Sequence, residues 1–221
     1  VLRIFKISIP AMAERVCMSG ANVVISRAIA SLGTVAIAAN TVYVTAESIA
    51  FMPGFAFAAA ATTLVGQSLG ARKPDLAERY MRACVLTSIV VMTCAGAGLF
   101  FFGKYIVLLF SQDAEVLDLA SRCLRIAALL QPAQTGAMVY AGGLRGAGDT
   151  LWPMLITASG MWLFRALLGA VVCITILGYG LPAAVGCMVL DSYVRIGLFY
   201  LRVRTGKWKN TAEKETVQMQ P

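Results

Sequence analysis

Six stretches of this chain run for twenty residues or more with few charges, at about 7–31, 35–69, 83–103, 121–144, 151–177 and 181–201. A helix needs roughly 20 predominantly apolar residues to cross the hydrocarbon of a bilayer. In hydrocarbon the backbone must satisfy its own N–H and C=O groups, which leaves helices and closed barrels as spanning structures. The runs are too long for barrel strands and show no period-2 alternation. An all-α membrane protein of six transmembrane helices is therefore expected. Composition agrees: 59% of the 221 residues are hydrophobic and 14% charged, against about a quarter charged in soluble domains.

The punctuation between the runs suits helix ends. Leu32-Gly33 separates the first two, Gly70 closes the second, and Lys73-Pro74-Asp75 opens the third, because proline is tolerated in a first turn. Gly146 and Gly148 close the fourth, after which Asp149 is expected to cap the fifth. The second run is long enough to require tilt or a kink, with Pro53-Gly54 as the natural place. Ser111 to Arg125 reads as an interfacial helix start, with Asp113 and Glu115 near its N-terminus. One helical unit over 1–205 is expected, then a polar tail over 206–221 in which Lys207 and Trp208 suit a membrane interface. The chain begins at Val1 without a basic stretch, short apolar run and small-residue cleavage site. No signal peptide is expected, and a piece of a longer protein is the simplest account.

The net charge of +8 is distributed unevenly. On the side of the N-terminus lie Arg3, Lys6, Arg72, Lys73, Arg79, Arg82, Arg145, Arg202, Arg204, Lys207, Lys209 and Lys214; the other side has Lys104, Arg122 and Arg125, with Arg27 near a helix end. Positive charge prefers the cytoplasm, so both termini are expected there, as an even helix count requires. Basic residues beside the membrane, rather than on one groove-sized face, also argue against a nucleic-acid partner. The six cysteines form no CxxC and the chain has no histidine. Zinc and haem sites are not expected, and the cysteines read as small buried hydrophobes. No cofactor is expected.

Three stretches then carry a resemblance. They are Leu32-Gly33-Thr34-Val35-Ala36-Ile37-Ala38-Ala39-Asn40; Phe51-Met52-Pro53-Gly54 continuing to Thr62-Thr63-Leu64-Val65-Gly66-Gln67-Ser68-Leu69-Gly70-Ala71; and Leu144-Arg145-Gly146-Ala147-Gly148-Asp149-Thr150-Leu151-Trp152-Pro153-Met154. In this order and spacing they resemble helices seven to eleven of the multidrug-and-toxin-extrusion (MATE) family. The likeness extends more loosely from about Ile7 to Lys209. It implies a twelve-helix exporter of two six-helix lobes, of which this chain looks like the second. It also implies alternating access, expulsion of organic and often cationic compounds, and drive from sodium or proton influx. The first lobe and the lipid bilayer are then its expected partners. Physics alone gives the glycine-rich stretches a structural reading. Gly66, Gln67 and Gly70 end a helix at a crowded packing face, and Gly146, Gly148 and Asp149 form a helix stop, turn and helix start.

Charges within the spans are the informative residues, since charge there is costly and pairs or lines water. They are Glu14 and Arg15, Glu47, Arg165, and Asp191 with Arg195 at i,i+4 spacing. The last two suit mutual neutralisation. Asn40, Tyr43, Glu47 and Phe51 recur at helical spacing and make a polar-aromatic stripe on an otherwise apolar helix. A carboxylate beside aromatic rings suits an organic cation; the alternative is a protonated Glu47 hydrogen-bonded to a neighbouring helix. Gln131, Gln134 and Met138 are expected to line the same cavity, with packing as the alternative, and Glu14 and Arg165 are further candidates. The sodium-coupled branch of the family carries carboxylates in the helices matching the first and fourth here. Glu14 falls nearer its helix start than that branch's glutamate, and no acidic residue lies between Asp118 and Asp149. Sodium and proton therefore both stay open. The rivals are an exporter or flippase of lipid-linked or anionic substrates, which needs a basic cavity, and a non-transporting scaffold. An enzyme lacks a metal cluster or a nucleophile–base pair.

Overall fold

The structure, a computed structural model, describes residues 2–206 and 208, with the backbone alone at 2–11 and 13. Six helices follow one another: α1 Leu2–Ala30, α2 Thr34–Gly70, α3 Pro74–Leu108, α4 Ala114–Gly146, α5 Leu151–Ile176 and α6 Gly180–Arg204. Several outrun their apolar stretches because their ends are solvated and supported locally. The first turns of α3 carry the i,i+4 ion pair of Glu78 with Arg82. The stretch from Ser111 to Arg125 leads directly into α4: the Asp113 carboxylate accepts from Glu115 N at 2.9 Å and Val116 N at 3.4 Å, occupying donors that a first turn leaves free.

Four helices, α2, α3, α5 and α6, are long and apolar enough to cross a membrane on their own terms. α4 is different in kind. It is the hub, packed against α2, α3 and α6, and most of its length from Leu130 to Leu144 is buried. A helix sheathed in protein has no need of a lipid-facing surface, so its polar residues are tolerated. α1 packs mainly along α5.

The hub is reached by removing side chains. A Cβ on Gly66 of α2 would lie 3.1 Å from the Gly146 carbonyl oxygen, and one on Gly142 would lie 2.7 Å from that of Ala58. A Cβ on Gly146 would overlap the carbonyl of Thr62. Two of the glycine-rich stretches thus meet each other, backbone on backbone, where α2 and α4 end side by side.

Two apolar cores result. One gathers Ala39, Tyr43, Leu124, Ala127, Ala170 and Val185 with their neighbours, the other Val65, Met81, Val139, Leu144, Phe199 and Trp208. Between them α2 carries Pro53 and α4 carries Pro132, each inside its helix, and each removes a hydrogen bond from its ladder. The same level holds the buried Gln131, Thr135 and Ser88.

α5 changes winding midway. Leu151–Gly160 is α-helical, whereas Met161–Ile176 is a π-helix. Its buried residues are Met161, Ala166, Gly169, Ala170 and Ile174, and at its end the Leu177 amide donates to the Val172 carbonyl five residues back at 2.9 Å, the wider i→i+5 bonding of such a helix. Nothing in the apolar pattern of 151–177 announces this.

Two local expectations are corrected. Asp149 does not cap α5; its carboxylate is taken by Arg202 of α6, at 3.0 and 2.7 Å from two guanidinium nitrogens. Gly70 is the last residue of α2, as expected, and the left-handed residue in the turn after it is Arg72, at φ 58°. Trp208, expected at a membrane interface, is fully buried in the second core and donates Nε1–H to the Val203 carbonyl at 2.9 Å. The rest of the expected polar tail, 207 and 209–221, lies outside the described residues.

Candidate functional site

Glu47 lies in the first half of α2 and is half-buried. Its polar neighbours are Tyr43, one turn back on the same helix, Gln134 of α4 and Arg165 of α5. Tyr43 is itself buried, with Cys123 of α4 nearby. The approach of α4 depends on Gly54: a Cβ there would lie 3.1 Å from Cγ2 of Thr135 and 3.5 Å from the ring of Phe51. A larger residue would push α4, and Gln134 with it, away from Glu47. The ring of Phe51 stacks edge-on against Phe55, with centroids 5.2 Å apart. Asn40 is half-buried two turns toward the start of α2.

Arg165 has a second partner. Its Nε donates to Asp191 Oδ2 at 2.8 Å, and Arg195 Nη2 reaches the same oxygen at 2.5 Å. Asp191 is completely buried. Its other oxygen and the Arg195 Nε have no hydrogen-bond partner among the described residues. A Cβ on Gly160 of α5 would overlap that free oxygen, so only glycine lets α5 close over the carboxylate. The expected Asp191–Arg195 pair is present, but as two arms of a three-residue cluster.

The cluster continues on both sides. Arg195 lies within electrostatic reach of Glu14 on α1, and Glu14 accepts both its hydrogen bonds from Arg145 Nη2, at 2.7 and 2.9 Å. Six charges thus run through the lobe in the order Arg145, Glu14, Arg195, Asp191, Arg165, Glu47. Three of the groups are basic and three acidic, and five helices contribute. Burial of charge is tolerable here because each member has an opposite neighbour. At one end stands Glu47, whose neighbours besides Arg165 are the uncharged Tyr43 and Gln134.

The sequence-derived candidates therefore separate. Glu47, Tyr43, Gln134 and Arg165 are brought together, with Phe51 along the same face. Glu14 is held at the far end of the charge series by Arg145. Gln131 packs instead against α3, where a Cβ on Gly96 would lie 3.6 Å from its own. It is fully buried, and both ends of its amide lack a protein partner among the described residues. Gln67 and Gly70 are exposed at the end of α2, while Gly66 and Gly146 make the α2–α4 contact and Gly148 takes φ 84° in the turn after α4. Arg145 and Asp191 were not among the sequence-derived cavity residues. Their partners lie 131 and 26 positions away, beyond any local spacing signal.

The chain matches the MatE family model over residues 10–171. It is 28% identical over 209 residues to the probable multidrug resistance protein NorM of Thermotoga maritima, covering 95% of this chain and 45% of that protein. It is 30% identical over 152 residues to the multidrug resistance protein MdtK of Edwardsiella ictaluri, covering 69% and 33%. The fold is that of a MATE crystal structure in the straight conformation, with a TM-score of 0.84 at 18% identity, over 94% of this chain and 47% of that one. The chain spans less than half the length of the curated relatives it matches. It belongs to the MatE family of membrane transporters and has the fold of their C-terminal six-helix lobe.

Proposed function

We propose that this lobe is half of a secondary-active exporter of organic cations, with Glu47 as the carboxylate that substrate and a coupling sodium ion or proton share. The observation that carries this reading is the setting of Glu47: half-buried at membrane depth, beside Tyr43 and Gln134, with the Phe51 and Phe55 rings one and two turns along α2. A carboxylate there attracts a cation through charge, and aromatic faces add cation–π attraction. Arg165 is partly neutralised by Asp191, so it holds Glu47 without making the site basic. The three-to-three balance of the charge series speaks against an anionic or lipid-linked substrate. Both termini face the cytoplasm in this proposal, on the uneven placement of basic residues, and the membrane is the cell membrane. The remaining half of the transporter supplies the opposite wall of the cavity.

The test is Glu47→Gln in the complete transporter. Efflux of a fluorescent organic cation is expected to fall at least tenfold at equal membrane abundance, about 1.4 kcal/mol of lost interaction. Unchanged efflux of every cationic probe tried would return Glu47 to a packing role. A scaffold that does not transport would show no efflux with either residue.

A further inference from the structure

Away from the Glu47 site, a groove of about 640 Å³ opens between α3 and α6, with Tyr140 of α4 in its lining. Both walls carry the same ladder. On α3, Arg82 stands at the rim, with Leu86 one turn and Ile89 two turns deeper; on α6, Arg204 stands at the rim, with Tyr200 and Ile196 at the matching depths. At about 1.5 Å per residue, the isoleucines lie roughly 10–12 Å along the helices from the arginine Cα positions. That is the distance from a headgroup into the acyl region. Among the described residues the rim holds two arginines and one carboxylate, Glu78, which is paired with Arg82. Arg204 is exposed and forms no ion pair among the described residues. Leu86 and Tyr200 are both more than half exposed, so the wall is open from the side rather than sealed.

We propose that this groove is a binding site for an anionic phospholipid, the phosphate held by Arg204 and Arg82 and one acyl chain laid between α3 and α6. A rim of net charge +1 matches a headgroup of net charge −1, and basic pockets between helices beside a membrane are suited to such lipids. The apolar floor distinguishes the occupant from a soluble phosphate, which would gain nothing from Leu86, Ile89 and Ile196. No residue is shared with the Glu47 site. The inference rests on the proposed orientation only in naming the cytoplasmic leaflet as the source of lipid.

The test uses the 221-residue chain in detergent, equilibrated with mixed micelles of phosphatidylglycerol and phosphatidylcholine in equal amounts, with retained lipid counted by native mass spectrometry. The chain is expected to retain phosphatidylglycerol preferentially, and the Arg82→Gln/Arg204→Gln variant to lose about thirtyfold in that preference, two basic contacts' worth. Gly197→Leu keeps both arginines but fills the groove, since a Cβ at Gly197 meets only open space; retention of both lipids is expected to fall. Equal retention of the two lipids by the unaltered chain would overturn the proposal. So would an unchanged preference in the double variant, unchanged retention in Gly197→Leu, or displacement of the lipid by millimolar glycerol phosphate, which marks a plain phosphate site. None of these readings depends on transport or on Glu47.

Discussion

A Cβ on Gly96 of α3 would sit 2.6 Å from the carbonyl oxygen of Ala128 on α4. The ordinary donor to that carbonyl is the amide of residue 132, and residue 132 is proline. The bare oxygen therefore faces α3, and only glycine leaves room for it, with its Cα–H as a weak donor. Gly96→Ala must push two helix backbones apart, an overpacking cost of about 1–3 kcal/mol. The thermal unfolding midpoint in detergent is expected to fall by several degrees. Gly98, two residues on, meets open space, so Gly98→Ala is the control and is expected to be neutral. Equal effects of the two substitutions would disprove the contact.

Asp149 and Arg202 tie the turn after α4 to the end of α6, and the Arg202 guanidinium lies 4.7 Å from the ring centre of Trp152. Both charged side chains are mostly buried. Removing one partner of such a pair leaves an uncompensated charge, at about 3–5 kcal/mol. Asp149→Ala is expected to lower stability by an amount of that order, and Arg202→Lys by less, since a lysine keeps the charge but loses the two-pronged geometry and the stacking. The double variant Asp149→Ala/Arg202→Met is expected to recover part of the loss. A double variant as unstable as the sum of its singles would mean the two residues do not act as a pair.

Asp191 gives an asymmetric forecast, because one carboxylate serves two guanidinium groups. Asp191→Asn leaves Arg165 and Arg195 facing each other across a buried gap. Arg195→Met leaves the Arg165–Asp191 pair intact. The first substitution is therefore expected to reduce folded yield more than the second, by about 2 kcal/mol or more in unfolding free energy. Adding Arg195→Met to Asp191→Asn should restore part of the yield. If Asp191→Asn proves the milder single change, the sharing of its carboxylate is not what holds α5 and α6 together.

How far these relationships were legible in the sequence follows from their range. The six helices were readable because hydropathy and glycine or proline punctuation are local signals, and Glu47, Tyr43 and Phe51 were readable because helical spacing puts them on one face. The i,i+4 pair of Asp191 and Arg195 was equally visible. Arg165 as the second partner of Asp191, Arg145 as that of Glu14, and Arg202 as that of Asp149 are contacts between helices, and spacing says nothing about which helix faces which. The π-helical stretch of α5 was hidden for another reason: a span that is apolar nearly all round gives no rhythm from which to read a winding. Gly70 was readable as the end of α2, but Arg72 at φ 58° in the turn after it was not, since that conformation ordinarily goes to glycine.

The face of α2 that carries Glu47 also carries Asn40 and Phe51, all only half-buried, and Val44, Ile49, Met52 and Phe55 of the same helix are exposed. The relatives are about twice as long as this chain, and in transporters built from repeats the substrate lies between halves that rock against each other. Without an opposing wall, Glu47 and Asn40 would face lipid, where polar groups are costly, or a second copy of the chain. Residues 1–221 alone are therefore expected to insert into membranes and give no efflux above an empty-vector control. Co-expression with the first half of a complete transporter should restore efflux, and Glu47→Gln should remove most of that gain. Ion-driven export of an organic cation by the purified chain alone in liposomes would refute this, and would mean that two copies of the lobe build the cavity between them.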